Sequence, residues 1–129
     1  MSRIKRLDAI AVTTTGGNDV ATGSGSVEIP GGMARLVGLA IDYHGSAPAG
    51  TDVVVKCTLP VEKTVLTKSN NNTDVPLAQV TEVEVDNVGA DRASPATRSP
   101  LVMGSLTVDV AQCDALTDAV TVFAVIEVL

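Results

Sequence analysis

The side chains able to do acid–base or ligand chemistry are few and scattered. His44 is the only histidine in 129 residues. It follows Tyr43 at the end of a predicted strand, with no cysteine or second histidine near it in sequence, and reads as a surface or turn residue and not as a base or ligand. Cys57 and Cys113 stand 56 positions apart without metal-ligand spacing. The N-terminus lacks the apolar block of a secretory signal, so a strand-buried Cys57 is expected in preference to a disulfide. The stretch Ser69-Asn70-Asn71-Asn72-Thr73-Asp74 is the most polar loop in the chain. Its row of oxygens invites a calcium reading, but the EF-hand order with its closing glutamate is absent, and an Asx-rich turn is expected. Glu82, Glu84 and Asp86 alternate along a predicted strand from Val75 to Val88. Like charges in a row repel unless they face solvent or a cationic partner, and solvation is the simpler reading.

No nucleophile with its base, no carboxylate pair in an apolar setting and no metal cluster can be pointed to, and no glycine-rich phosphate loop leads into a helix. The expectation is a protein that is not an enzyme and carries no cofactor. Nine basic residues against fifteen acidic ones give a net charge of -6, which repels a phosphate backbone. With no tryptophan, and Phe123 and Tyr43 the only aromatic residues, stacking on bases or sugars has little to use. Nucleic acid is therefore not an expected partner. Nor is a membrane, because no apolar run approaches the ~20 residues of a span. Against the acidic background, Arg3, Lys5 and Arg6 form a short cationic arm. Such an arm is either a solvated terminus or a docking device.

The elements that must position these residues are strands. Valine and threonine dominate and helix-favouring runs are missing, a strand-and-turn composition. At this length the chain makes one domain, divided here into residues 1–12, an N-terminal arm and first strand, and residues 13–129, a single β-sandwich. The pair about which the rest is organised runs from Met103 to Val110 and from Val120 to Leu129. In the second of these Val120, Val122, Ala124, Ile126 and Val128 share one face and Thr121, Phe123, Val125, Glu127 and Leu129 the other. Both faces are largely apolar, which places the strand in the interior of an assembly. Upstream, Met33 to Tyr43 and Val53 to Leu59 alternate, and Lys63 to Thr67 is a shorter strand. Pro30-Gly31-Gly32 is a turn, and the glycine-rich stretch from Val20 to Ile29 is either an edge strand or a long ordered loop. Gly89 to Pro100 shows no apolar period and reads as a crossover or contact loop. Turn signals about every ten residues predict an all-β antiparallel sandwich, jelly-roll-like. The outward apolar residues Phe123, Val125 and Leu129 are expected to meet another subunit.

The runs Gly38-Leu39-Ala40-Ile41-Asp42-Tyr43-His44-Gly45 and Ala47 to Lys56, the Asn70 to Asp74 loop, and the hairpin from Gly104 to Val122 together resemble the head decoration, or cement, proteins of tailed bacteriophages. The resemblance covers most of the chain from about Met33 onward, and its motifs are loops and strand patterns. It implies a small jelly-roll on the outside of an icosahedral capsid in the virion, made in the host cytoplasm, commonly as a trimer and sometimes as a dimer. It further implies the major capsid protein as partner, with Arg3, Lys5 and Arg6 lying against the shell. Two other readings stay open. One is a carbohydrate- or receptor-binding sandwich, which the scarcity of aromatic rings disfavours. The other is a subunit that assembles its own shell.

Overall fold

The computed structural model describes residues 3–83 and 97–129, an all-β, antiparallel, sandwich-like fold. Its strands are β1 (Ile4–Arg6), β2 (Ile10–Val12), β3 (Ala21–Tyr43), β4 (Asp52–Leu59), β5 (Lys63–Lys68), β6 (Val75–Gln79), β7 (Glu82–Val83), β8 (Thr97–Arg98), β9 (Leu101–Cys113) and β10 (Val120–Val128). The main sheet runs β1-β10-β3-β9-β4-β5, with β2 also on β10 and β6 also on β3; β7 and β8 pair apart from it. Glu84, Asp86 and most of the expected Gly89 to Pro100 loop lie outside the described residues.

Register explains how one sheet makes two layers. Ala21 lies opposite Cys113, and Tyr43, at the other end of the same strand, lies opposite Val120. Cys113 and Val120 are joined by a short loop, so β3 must fold back and return to the end where it began. The fold falls at Pro30-Gly31-Gly32. Both glycines have positive φ (75° and 83°), and the register against β9 shifts between Glu28 and Met33. A glycine-rich bulge lets a strand turn a corner without losing its partner. The predicted turn is therefore a bend inside one hydrogen-bonded strand. β9 bends with it, through Gly104 at φ 77°. One layer holds β1, β2, β10, the second half of β3, β6 and the start of β9 (Leu101 to Met103); the other holds the first half of β3, the rest of β9, β4 and β5.

Between the layers sit small branched side chains, as the composition requires: Leu36, Leu39, Ile41, Val53, Leu106 and Ile126 are among the largest fully buried. Of the stretch from Val20 to Ile29, Ala21 to Glu28 pair with β9 on one side and, among the described residues, have only an isolated Thr15–Thr22 bridge on the other, so the edge strand is the expectation that holds, and the loop is not. The strand's inward positions include Gly23 and Gly25, over which β2 is laid. A Cβ on Gly23 would stand 2.4 Å from the Thr13 carbonyl oxygen, and one on Gly25 3.0 Å from Ile10 Cγ2. Glycine is what allows the two layers to approach this closely.

The loops at the end opposite the corner are closed by side-chain caps. Thr14 Oγ1 donates to the Asp114 carbonyl (2.6 Å) and accepts from the Leu116 amide (3.1 Å), which fixes the β9–β10 turn. The asparagine-rich stretch is a turn, with Asn70 at φ 50°, tied to its neighbours by side-chain bonds. Asp52 Oδ1 accepts the Asn70 amide (2.9 Å), Asp74 Oδ1 accepts the Tyr43 amide (2.8 Å) and Asn72 donates to the Ala47 carbonyl (2.9 Å). Within the loop it is the amide nitrogens of Asn71 and Asn72 that donate to backbone carbonyls, while Asp74 supplies the oxygen that accepts from backbone.

Candidate interaction surface

Of the residues singled out for chemistry, none converge. His44 is exposed, and its Nδ1 accepts the Ser46 amide at 3.0 Å, a turn-forming role. Cys57 and Cys113 are buried and free. Cys57 lies opposite Leu106 on β9, and at ~3.3 Å per residue the rest of that strand puts Cys113 roughly 20 Å away. A disulfide needs its Cα atoms within ~7 Å. Among the described residues no group of three or more His, Cys, Asp or Glu could hold a metal.

The outer faces of the two layers differ in kind. On the β9–β4 layer the outward residues are polar. Lys56 lies 2.8 Å from Asp109 and 3.3 Å from Glu62, while Ser24 donates to Asp109 at 2.8 Å. Lys56, followed by Ser24, holds the Asp109 carboxyl below its usual range, and both carboxylates raise the Lys56 ammonium, Asp109 more strongly.

The β10–β3 layer presents apolar side chains instead. Val120, Val122, Ala124 and Ile126 point inward and are buried; Phe123 and Val125, on the opposite face, are half-buried. Phe123 lies opposite Ala40 and Val125 opposite Gly38. A bulge between Val125 and Ile126 keeps Leu36 and Leu39 both in the core and turns Val37 outward. Across Gly38 lies Leu77 of β6, 62% exposed. Val37, Leu77 and Val125 thus line a shallow apolar groove. Of the residues expected at a subunit interface, Phe123 and Val125 lie on this face. Leu129, 54% exposed, follows Val128 at the end of β10.

The cationic arm borders the same face. Ile4, Lys5 and Arg6 pair with Glu127, Ile126 and Val125, and the Arg3 carbonyl accepts the Val128 amide at 2.8 Å. The arm is thus an ordered edge strand, with Arg3, Lys5 and Arg6 all exposed. Its pairing was not legible beforehand because backbone groups make it.

One grouping escaped sequence reasoning altogether. Met33, Met103 and Leu59 are in register across β3, β9 and β4. Leu101 lies two pairs further on, opposite Arg35, and Val61, 76% exposed, sits in the β4–β5 turn. With Ile4 and Leu129 these residues gather most of the exposed large apolar side chains at the corner end. Arg3, Lys5, Arg6, Arg35, Lys63 and Arg98 belong to the same end by register and bonding, as do the fewer acidic residues Glu28, Glu62, Glu82 and Glu127, so among the described residues cations are in excess there. The loops at the opposite end carry Asp19, Asp42, Asp52, Asp74, Asp114 and Asp118. The molecule is therefore polar along its length, cationic and apolar at the corner, acidic at the far loops.

Compared with protein-family models and with curated proteins, the chain matches none.

Proposed function

We propose that this chain is a structural capsid protein, a decoration or cement subunit that binds the outside of a tailed-phage head and bridges neighbouring copies of the major capsid protein. The observation that carries the reading is the one-sided outer surface. Phe123, Val125, Val37 and Leu77 form an apolar face on one layer only, and an edge strand bearing Arg3, Lys5 and Arg6 borders it. A half-exposed apolar face of this kind on a small sandwich is covered by protein in the working assembly. The sequence resemblance supplies the identity of that assembly, a trimer on a head. Three copies joined through the apolar face would each bring a weak shell contact, and the contacts reinforce one another through effective concentration.

Mixing the purified chain with DNA-free expanded heads and weighing the free chain by native mass measurement tests both halves. The expected result is saturable head binding and a trimer mass. A chain that ignores heads and is retained on a glycan array is a carbohydrate-binding module and not a cement protein.

A further inference from the structure

We infer that the corner end of the sandwich is the surface that docks on the shell, and that the patch it meets on the shell protein is both acidic and apolar. The inference rests on the capsid reading and specifies which part of this chain makes that contact. In a chain of net charge -6, the arm, Arg35 and Lys63 outnumber the neighbouring Glu28, Glu62 and Glu127 and leave an excess of positive charge beside the exposed apolar residues Met33, Leu59, Val61 and Leu101. An acidic partner is attracted to this end and repelled by the other, so the charge pattern sets the direction of approach before any contact forms. The apolar residues supply what is desolvated once the surfaces meet.

Other occupants fit less well. A sister copy arriving head to tail would bring its acidic loops, but those offer Val20 as their one large exposed apolar side chain among the described residues, leaving the corner's apolar residues uncovered. A lipid surface is met by aromatic anchors and a basic rim. Here the two aromatic residues, Phe123 and Tyr43, lie elsewhere, so the corner has no aromatic anchor. The corner also presents an open groove between Glu28–Gly32 and Thr58, Leu59, Gly104 and Ser105. No side chain lies within 4 Å of where a Cβ on Gly31 or Gly32 would sit, so the backbone there is open to close approach by a partner chain.

The test compares Val61→Glu and Lys5→Glu, both at exposed positions, with Val20→Glu at the far end as control. DNA-free expanded heads of the parent phage are the probe. Each corner variant is expected to bind heads roughly tenfold or more weakly, with unchanged circular dichroism and trimer mass, while Val20→Glu binds like the parent chain. Wild-type binding should also fall as salt rises. If both corner variants occupy heads as the parent does, the docking end is wrong although decoration stands. If the parent chain itself fails to bind heads, the capsid reading and this inference fall together. Loss of the trimer mass in the corner variants would assign the end to sister copies. Sedimentation with phosphatidylglycerol vesicles, abolished by Val61→Glu, would assign it to lipid.

Discussion

Val122 and Val125 stand three positions apart on β10, and a charge at each has a different consequence. Val122 is fully buried in the core, so Val122→Asp leaves an unpaired charge among aliphatic side chains. The expected loss is about 4 kcal/mol or more, most of the stability of a small domain, read as failure to fold or a collapse of the denaturation midpoint. Val125 faces outward and is half-buried, so Val125→Asp should keep the native spectrum and, on the proposed trimer reading, give a monomer mass. A folded, fully trimeric Val125→Asp variant would remove this face from the interface.

The Lys56–Asp109 pair gives a pH dependence whose sign follows from the direction of each shift. Asp109 titrates lower in the folded chain than in the unfolded one, so its contribution is present above the ordinary carboxyl range, near pH 4, and is lost as pH falls through the folded value. Lys56 titrates higher when folded, so its contribution is complete below the ordinary lysine range and is lost as pH rises through the folded value. Asp109→Asn should therefore flatten the acid limb of a stability–pH curve and leave the neutral plateau little changed, because both groups are solvent-accessible and the pair is weak. Tyr43 adds an alkaline limb. Burial raises its phenol, with the Asn71 amide opposing this and the Asp74 and Asp52 carboxylates adding to it, and stability falls once pH passes the ordinary tyrosine range.

Among the elements, the bend in β3 makes the sharpest demand. Gly31→Ala or Gly32→Ala meets no neighbour but must hold a left-handed backbone. Each should cost about 1–2 kcal/mol, measured by denaturant unfolding. Gly23→Ala has an ordinary φ and instead drives a methyl to 2.4 Å from the Thr13 carbonyl, so it should destabilise more, by forcing β2 away from β3. Removing Met1 to Arg6 deletes the edge strand while Leu7, whose amide donates to the Ala124 carbonyl at 2.9 Å, still anchors the chain. The spectrum should persist and head occupancy should drop; equal occupancy with and without the arm would reject its docking role. These elements also show what was readable in advance. The alternations of β4, β9 and β10 reported their buried faces directly. The first half of β3 did not, because Gly23 and Gly25 occupy inward positions and erase the apolar period that betrays a strand. Leu59 continues the alternation of Val53, Val55 and Cys57 but is turned out by the register shift after Cys57, an irregularity no single-strand pattern carries. Phe123 and Val125 were legible as an outer face from one strand. The corner surface was not, because its members come from separate strands that only topology brings together.

For the whole molecule, the absence of a disulfide and the burial of both thiols predict a particle indifferent to redox conditions. Thiol alkylation should be slow in the native state and complete only on unfolding. The bend at the corner bears on how such a particle fails under tension. β3 and β9 each pass unbroken from one layer into the other, so at that end the layers share covalent chain, and at the far end they are joined by loops. A tug that prises the layers apart meets peptide bonds at one end and capped turns at the other. Strain will therefore open the loop end first and leave the corner as the hinge, so a subunit gripped by its corner holds on longest where it is held.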